Sequence, residues 1–165
     1  MESIKKLIEM LDGRDFCDIE KNDSNGNCIS VTVKKNQSLN CQKSKSALID
    51  SIPDQYVEFL LFSDGMELFN YDNLDGLKLL SLQEIEQYTN YCKNTFEEDW
   101  QDNIIIFAKI IGEDNYLGFR LYDNCYEVID CYFEELPSDW EVIDGQFDDF
   151  LKKYITGKGN KFWIY

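Results

Sequence analysis

Ile4, Leu7, Ile8 and Leu11 follow the i, i+3, i+4, i+7 spacing of one helical face, and Gly13 closes the segment, so the chain opens on an amphipathic helix. The period then drops to two. Alternating stretches over 16–21 and 28–33 are joined through Asn25-Gly26, a pair that tolerates the positive φ of a tight turn, which predicts a β-hairpin. Residues 34–46 are polar and read as a loop. Pro53 can occupy the first position of a helix, where its missing N–H is harmless; Tyr56, Phe59, Leu60 and Ser63 then share a face, and Gly65 suits a left-handed C-cap. Residues 77–80 read as a short strand. Ser81-Leu82-Gln83-Glu84 has capping-box spacing and predicts a helix to about Cys92. The run 104–111 is continuously apolar and rich in β-branched residues, as suits a central strand buried on both faces. Strands over 116–122 and 125–133 follow, joined by an Asp123-Asn124 turn. A last helix starts near Asp144 with the core stripe Phe147, Phe150, Leu151 and Tyr154, and Gly157 ends it; the tail Phe162-Trp163-Ile164-Tyr165 is apolar enough to pack.

Helices and strands do not alternate as βαβ units would. The order predicts an α+β fold, a mainly antiparallel sheet packed by helices, in one domain over 1–165, with neither internal repeat nor low-complexity linker. A chain of 165 residues with 44% hydrophobic and 15% aromatic residues can build a proper core, which excludes disorder. It has no apolar run long enough to span a bilayer, and the first segment, with acids inside its apolar stretch, does not read as an export signal. A cytoplasmic protein is the expectation.

Charge and chemistry sharpen this. Net charge is −16, and it is lopsided: residues 1–50 balance eight acids with eight bases, while residues 51–165 carry 24 acids and eight bases. The stretch 121–151 holds ten acids and neither Lys nor Arg. Such a field repels nucleic acid and anionic membrane and attracts a basic protein. The other reading is a solvated acidic face. The absence of histidine removes the commonest general base and zinc ligand and every Ser-His or Cys-His pair. The six cysteines lack a Cys-x-x-Cys and read as reduced thiols, most of them buried or half-buried. Asp23-Ser24-Asn25-Gly26 imitates part of a calcium loop, but Lys21 and Thr32 stand where its first and last ligands belong. No cofactor, metal or small-molecule substrate is expected.

Ile52-Pro53-Asp54-Gln55-Tyr56-Val57-Glu58-Phe59-Leu60 followed by Ser63-Asp64-Gly65 resembles the "leucine-proline, tyrosine, phenylalanine-leucine, asparagine-glycine" motif of the SUKH superfamily, which includes fungal Smi/Knr-type cell-wall regulators and bacterial immunity proteins. The stretch from Leu79 to Ile85, the hairpin Ile110-Ile111-Gly112-Glu113-Asp114-Asn115-Tyr116-Leu117-Gly118, the strand Leu121-Tyr122-Asp123 and the helix Phe147-Asp148-Asp149-Phe150-Leu151 resemble its later elements, in order, over a best-matching core of 45–155. Ile52, Asp64, Met66 and Gln146 depart from the pattern, where leucine, asparagine, a second glycine and serine are usual. The resemblance implies an α+β fold and a non-catalytic role: a cytosolic antidote that binds the toxin domain, often a nuclease or deaminase, of a polymorphic or contact-delivered toxin. The alternative it carries is a scaffold or regulator binding an endogenous protein.

Most motif residues have structural readings. Tyr56, Phe59, Leu60, Phe147, Phe150 and Leu151 stand at core spacing, and Asp148 and Asp149 suit the positive end of their own helix. The candidate partner-binding residues are the acids that structure explains least, with the tryptophans among them: Glu97, Glu98, Asp99 and Trp100; and Asp123, Asp130, Glu134, Glu135, Asp139, Trp140 and Glu141. Tryptophan among acids is either an interface anchor or a core residue reaching down from its loop. An enzyme would need two carboxylates across a cleft, for which Glu113 with Asp123 is the pair to examine.

Overall fold

The computed structural model describes residues 1–39, 48–123 and 125–164. Its elements are α1 (Glu2–Leu11), β1 (Phe16–Asn22), β2 (Cys28–Lys35), α2 (Asp54–Phe62), β3 (Met66–Tyr71), β4 (Asp75–Leu79), α3 (Leu82–Phe96), β5 (Ile104–Ile110), β6 (Tyr116–Leu121), β7 (Tyr126–Cys131), β8 (Val142–Asp144) and α4 (Phe147–Thr156). The eight strands form one antiparallel sheet in strict chain order, β1 to β8, so the predicted α+β architecture holds. Among the described residues no helix is long and apolar enough to cross a membrane. None of the described cysteines is in a disulfide: Cys17, Cys92 and Cys131 are buried, Cys28 and Cys125 exposed, and Cys41 lies outside the described residues.

Helix α3 covers one face of the sheet, packed chiefly on β5, and α1, α2 and α4 cover the other. On that second side Phe107 stacks on Phe119 at 4.2 Å, and Tyr56 meets Phe107, Phe119 and Phe147 edge-on at 4.9–5.6 Å. The Tyr56 hydroxyl lies 2.8 Å from the Leu80 carbonyl oxygen and 2.9 Å from that of Phe107, tying α2 to the end of β4 and to β5. Burial drives its pKa well above the ordinary range. The strand β5 is buried along nearly its whole length, as its unbroken apolar run requires. A bulge between Ile106 and Ala108 interrupts its pairing with β6, and the Ile106 N–H donates instead to the Thr89 hydroxyl of α3.

Local signals set the helix ends. The predicted capping box is present: Ser81 Oγ accepts from the Glu84 N–H, and the Glu84 carboxylate accepts from the Ser81 N–H at 3.0 Å. Burial pushes the Glu84 carboxyl up, but Lys78 at 2.5 Å and the Ser81 donors outweigh it and hold it below its usual range. Pro53 is the N-cap of α2 rather than its first residue, and Gly65, at φ 89°, serves the turn into β3 three residues beyond the helix end. The final helix starts at Phe147, because Asp144 belongs to the short strand β8.

Two strands escape the sequence pattern. β3 carries a bulge between Leu68 and Tyr71 in which buried Phe69 adopts φ 54°, so its alternation is broken. β8 is only three residues long. Asp148 and Asp149 stand in the first turn of α4, as read, and Asp148 does a second thing as well. Its carboxylate reaches across to the N-terminus of α1 and accepts from Ser3 N–H (2.9 Å), Ser3 Oγ (2.5 Å) and Glu2 N–H (3.1 Å), capping a helix that has no side-chain cap of its own.

Candidate partner-binding surface

Because the sheet is a meander, chain position becomes lateral position. The near-neutral N-terminal hairpin forms one edge of the strand order and the acidic segment forms the other. Residues 113–149 hold twelve acids and one base, Arg120. Arg120 spends its guanidinium on the carbonyl oxygens of Pro137 (3.1 Å) and Trp140 (3.2 Å).

Both acidic clusters with tryptophan lie on this side, and packing joins them. Phe96, at the end of α3, meets Trp140 edge-on at 5.2 Å and Phe133 at 5.1 Å, and Trp100 meets Trp140 at 6.3 Å. A short 3-10 helix, Glu97–Asp99, lies between Phe96 and Trp100, so its acids stand beside the loop that carries Glu134, Glu135, Asp139 and Glu141. Glu97, Glu98, Asp99, Asp123, Glu134, Glu135, Asp139 and Glu141 are all exposed, and none forms an ion pair among the described residues.

The tryptophans part company with the anchor reading. Trp140 is only 2% exposed, and its indole N–H donates to the Tyr132 carbonyl at 3.0 Å, so it is the core residue that fixes the loop. Trp100 is half-buried against it. Asp123 sits in the β6–β7 turn, just beyond the end of β6, where Leu121 pairs with Tyr126 and the Tyr122 N–H donates to the Cys125 carbonyl. Glu113 lies before β6 and Asp123 after it, at opposite ends of a six-residue strand about 20 Å long, so they cannot face one another across a cleft.

Asp130 is placed differently from the other candidates. On β7 it shares a face with Val128 and Tyr126 and points to the side of α4 and the tail, and its N–H donates to the Glu141 carbonyl at 2.9 Å, which sets the two residues side by side. The tail returns along this face: Trp163 packs on Phe150 (5.6 Å) and Tyr154 (6.0 Å), Lys161 pairs with Glu113, and Gly159 lies against Phe69. The result is a groove of about 420 Å³ lined by Ile110, Glu113, Asn115, Asp130, Tyr132, Glu135, Glu141, Trp163 and Ile164. A smaller one of about 200 Å³ shares Asp130, Glu141 and Trp163 and adds Val142, Ile143, Lys153 and Phe162.

Burial lifts the Asp130 carboxyl to about 6, and the nearby Glu113 and Glu135 charges add to the rise; the Trp163 indole and Lys161 hold it in check. The Trp163 indole N–H thus faces the Asp130 carboxylate, although neither Asp130 Oδ1 nor Trp163 Nε1, both buried, closes a hydrogen bond of good geometry. Trp163, Glu113 and Tyr132 were outside the sequence-derived set. Only the apolar run of the tail hinted at the first, and nothing local hinted at the groove. A wider groove of about 590 Å³ runs between the start of α2 and the β6–β7 turn, but its Gln55 and Tyr126 side chains are used in capping α4 at the N–H groups of Asp148 and Phe147. Among the described residues no group of acids or cysteines could hold a metal ion.

Residues 37–153 match the SMI1 / KNR4 family (SUKH-1). The uncharacterized protein YobM of Bacillus subtilis (strain 168) is 27% identical over 129 residues, covering 68% of this chain and 62% of YobM, so the chain spans less than two thirds of that relative. The uncharacterized protein YnaB of the same organism is 26% identical over 121 residues, covering 68% of this chain and 72% of YnaB. No solved structure matches.

Proposed function

Because the chain belongs to the SMI1 / KNR4 family (SUKH-1), and because exposed acids outside any ion pair among the described residues gather at 97–99 and 134–141, we propose that it is a non-catalytic immunity protein. It binds the basic toxin domain of a bacterial polymorphic or contact-delivered toxin in the cytoplasm and keeps it from its substrate. A nuclease suits the surface best, since a groove lined with Lys and Arg for phosphate accepts carboxylates in their place. The observation that carries this reading is the row of exposed carboxylates at 97–99 and 134–141 that have no internal cation. An acid kept for stability would be paired or capping, as Glu84 and Asp148 are. Paired interface charges chiefly speed encounter and set specificity.

The test is to retain native-cell proteins on the immobilised chain, elute them with salt, and express each alone. Immunity predicts that one of them arrests growth by itself and that co-expression of this chain restores growth. Recovery only of harmless partners would contradict immunity and favour the regulator of the Smi/Knr type.

A further inference from the structure

We infer that the aromatic seam between the C-terminal half of α3 and the β7–β8 loop is where the protein partner anchors, and that it receives an apolar side chain carried between Lys or Arg residues. This rests on the partner-binding reading above and deepens it by stating what the partner presents. A chain of ring contacts runs along the seam. Tyr91 of α3 stacks on Phe133 at 6.1 Å, Phe133 meets Phe96 edge-on at 5.1 Å, and Phe96 leads through Trp140 to Trp100. Trp140, 2% exposed, closes the inner side. The outer side is open: Tyr91 is 46% exposed, and Phe133, Phe96 and Trp100 are half-buried.

Core packing does not require this surface. Leu82, Ile85 and Cys92 are the buried residues of α3, and Tyr91 lies beside their stripe with its ring half in water. A single exposed apolar residue needs no explanation, but rings in continuous contact form a patch. Large rings lose little freedom when covered, which is why they dominate the centres of protein interfaces. The patch also has a rim. Glu97, Glu98 and Asp99 separate Phe96 from Trp100, and Glu134 and Glu135 follow Phe133 directly. Lys93 on the same helix is committed to Asp102 at 2.6 Å.

Charge complementarity then selects the occupant. Stacking rings suit nucleic-acid bases, but a phosphate backbone would run against these carboxylates. An anionic membrane is repelled in the same way. A second copy of the chain would set two like-charged rims against each other. A protein with an apolar side chain among Lys and Arg satisfies the rings and the rim together, an apolar centre inside a charged border.

The two parts separate kinetically: rim charges set the rate of encounter, and a covered anchor sets the rate of dissociation. The probe is the protein that salt elutes from the immobilised chain, and its capture alone supports nothing. Surface plasmon resonance compares the full chain with its Tyr91→Ala and Tyr91→Phe variants. Alanine is the best helix former, so α3 stays in place, and the melting temperature checks this. Tyr91→Ala should raise the dissociation rate about tenfold or more and leave the association rate within about twofold. Tyr91→Phe, which keeps the ring, should dissociate like the wild type. A wild-type dissociation rate in Tyr91→Ala, a loss confined to association, or a Tyr91→Phe variant as weak as Tyr91→Ala would overturn the anchor. If the column retains no protein, the anchor and the reading it rests on fall together. Growth rescue by the wild type from a partner that leaves Tyr91→Ala no faster would remove the anchor and leave immunity standing. The full tenfold effect on a partner harmless to the cell would keep the anchor and contradict immunity.

Discussion

Asp130→Asn should make the protein more stable at neutral pH. The substitution keeps the shape of the side chain and removes a charge that the fold holds half-buried. The carboxyl stands at about 6 against an ordinary 3.8. At about 1.4 kcal/mol for each unit, the ionised form weakens the fold by up to about 3 kcal/mol, and solvent reaching the half-buried group screens this to about 1–2 kcal/mol. The direction follows from linkage. A carboxyl raised on folding binds more protons in the native state, so its contribution to stability is greatest below its unfolded value and is lost as pH rises through about 6. An asparagine does not titrate. Urea denaturation of both proteins at several pH values between about 4.5 and 7.5 reads the difference directly. The variant should gain about 1–2 kcal/mol at the upper end, or about 2–8 °C in melting temperature, and nearly nothing at the lower end. A difference that stays flat with pH, or an asparagine variant that is less stable at pH 7.5, would refute the placement of Asp130.

Other substitutions probe the frame that holds the surface. Asp148→Ala should destabilise by about 1–2 kcal/mol through loss of the α1 cap, read by urea denaturation at pH 7. Burial pushes this carboxyl up, but the Ser3 and Glu2 donors outweigh it and hold it below the usual range, so the difference should persist above about pH 4 and vanish as pH falls through the folded value. Tyr56→Phe should cost about 1–2 kcal/mol, because the buried Leu80 carbonyl loses its hydroxyl donor; a loss under about 0.3 kcal/mol would show that the hydroxyl matters little. Gly112→Ala would place a Cβ 2.1 Å from the Leu74 carbonyl oxygen at φ 83°, so the melting temperature should fall by an amount matching at least about 2 kcal/mol.

Elements whose signal is local were legible in the sequence. The Ser81–Glu84 box starts α3, the Asn25-Gly26 turn joins β1 to β2, and the apolar run 104–111 becomes the buried β5. What depends on distant partners was not. The bulge at Phe69 erased the period of β3, and the left-handed residue there is held by Gly159 and Tyr154, some 90 positions away. Asp148 was legible as an acid of its own helix, but not as the cap of α1, because Ser3 lies at the other end of the chain. The candidate surface divides in the same way. The exposed acids at 97–99 and 134–141 follow from composition, whereas the groove exists only because the tail returns Trp163 to Asp130. Of the two readings of the loop tryptophan, Trp140 takes the core one, and the tail packs as its apolar residues require, with Trp163 on Phe150 and Tyr154 and at the edge of the cleft.

The measurement that bears most directly on recognition by the acidic flank is the association rate of the salt-eluted partner, followed by stopped flow from about 20 to 300 mM salt. The wild-type rate should fall at least tenfold or so across that range, and Glu134→Gln, Glu135→Gln and Glu141→Gln combined should both slow it and flatten its salt dependence. A rate that ignores salt and is the same in the combined variant would contradict electrostatic recognition by the β6–β8 side.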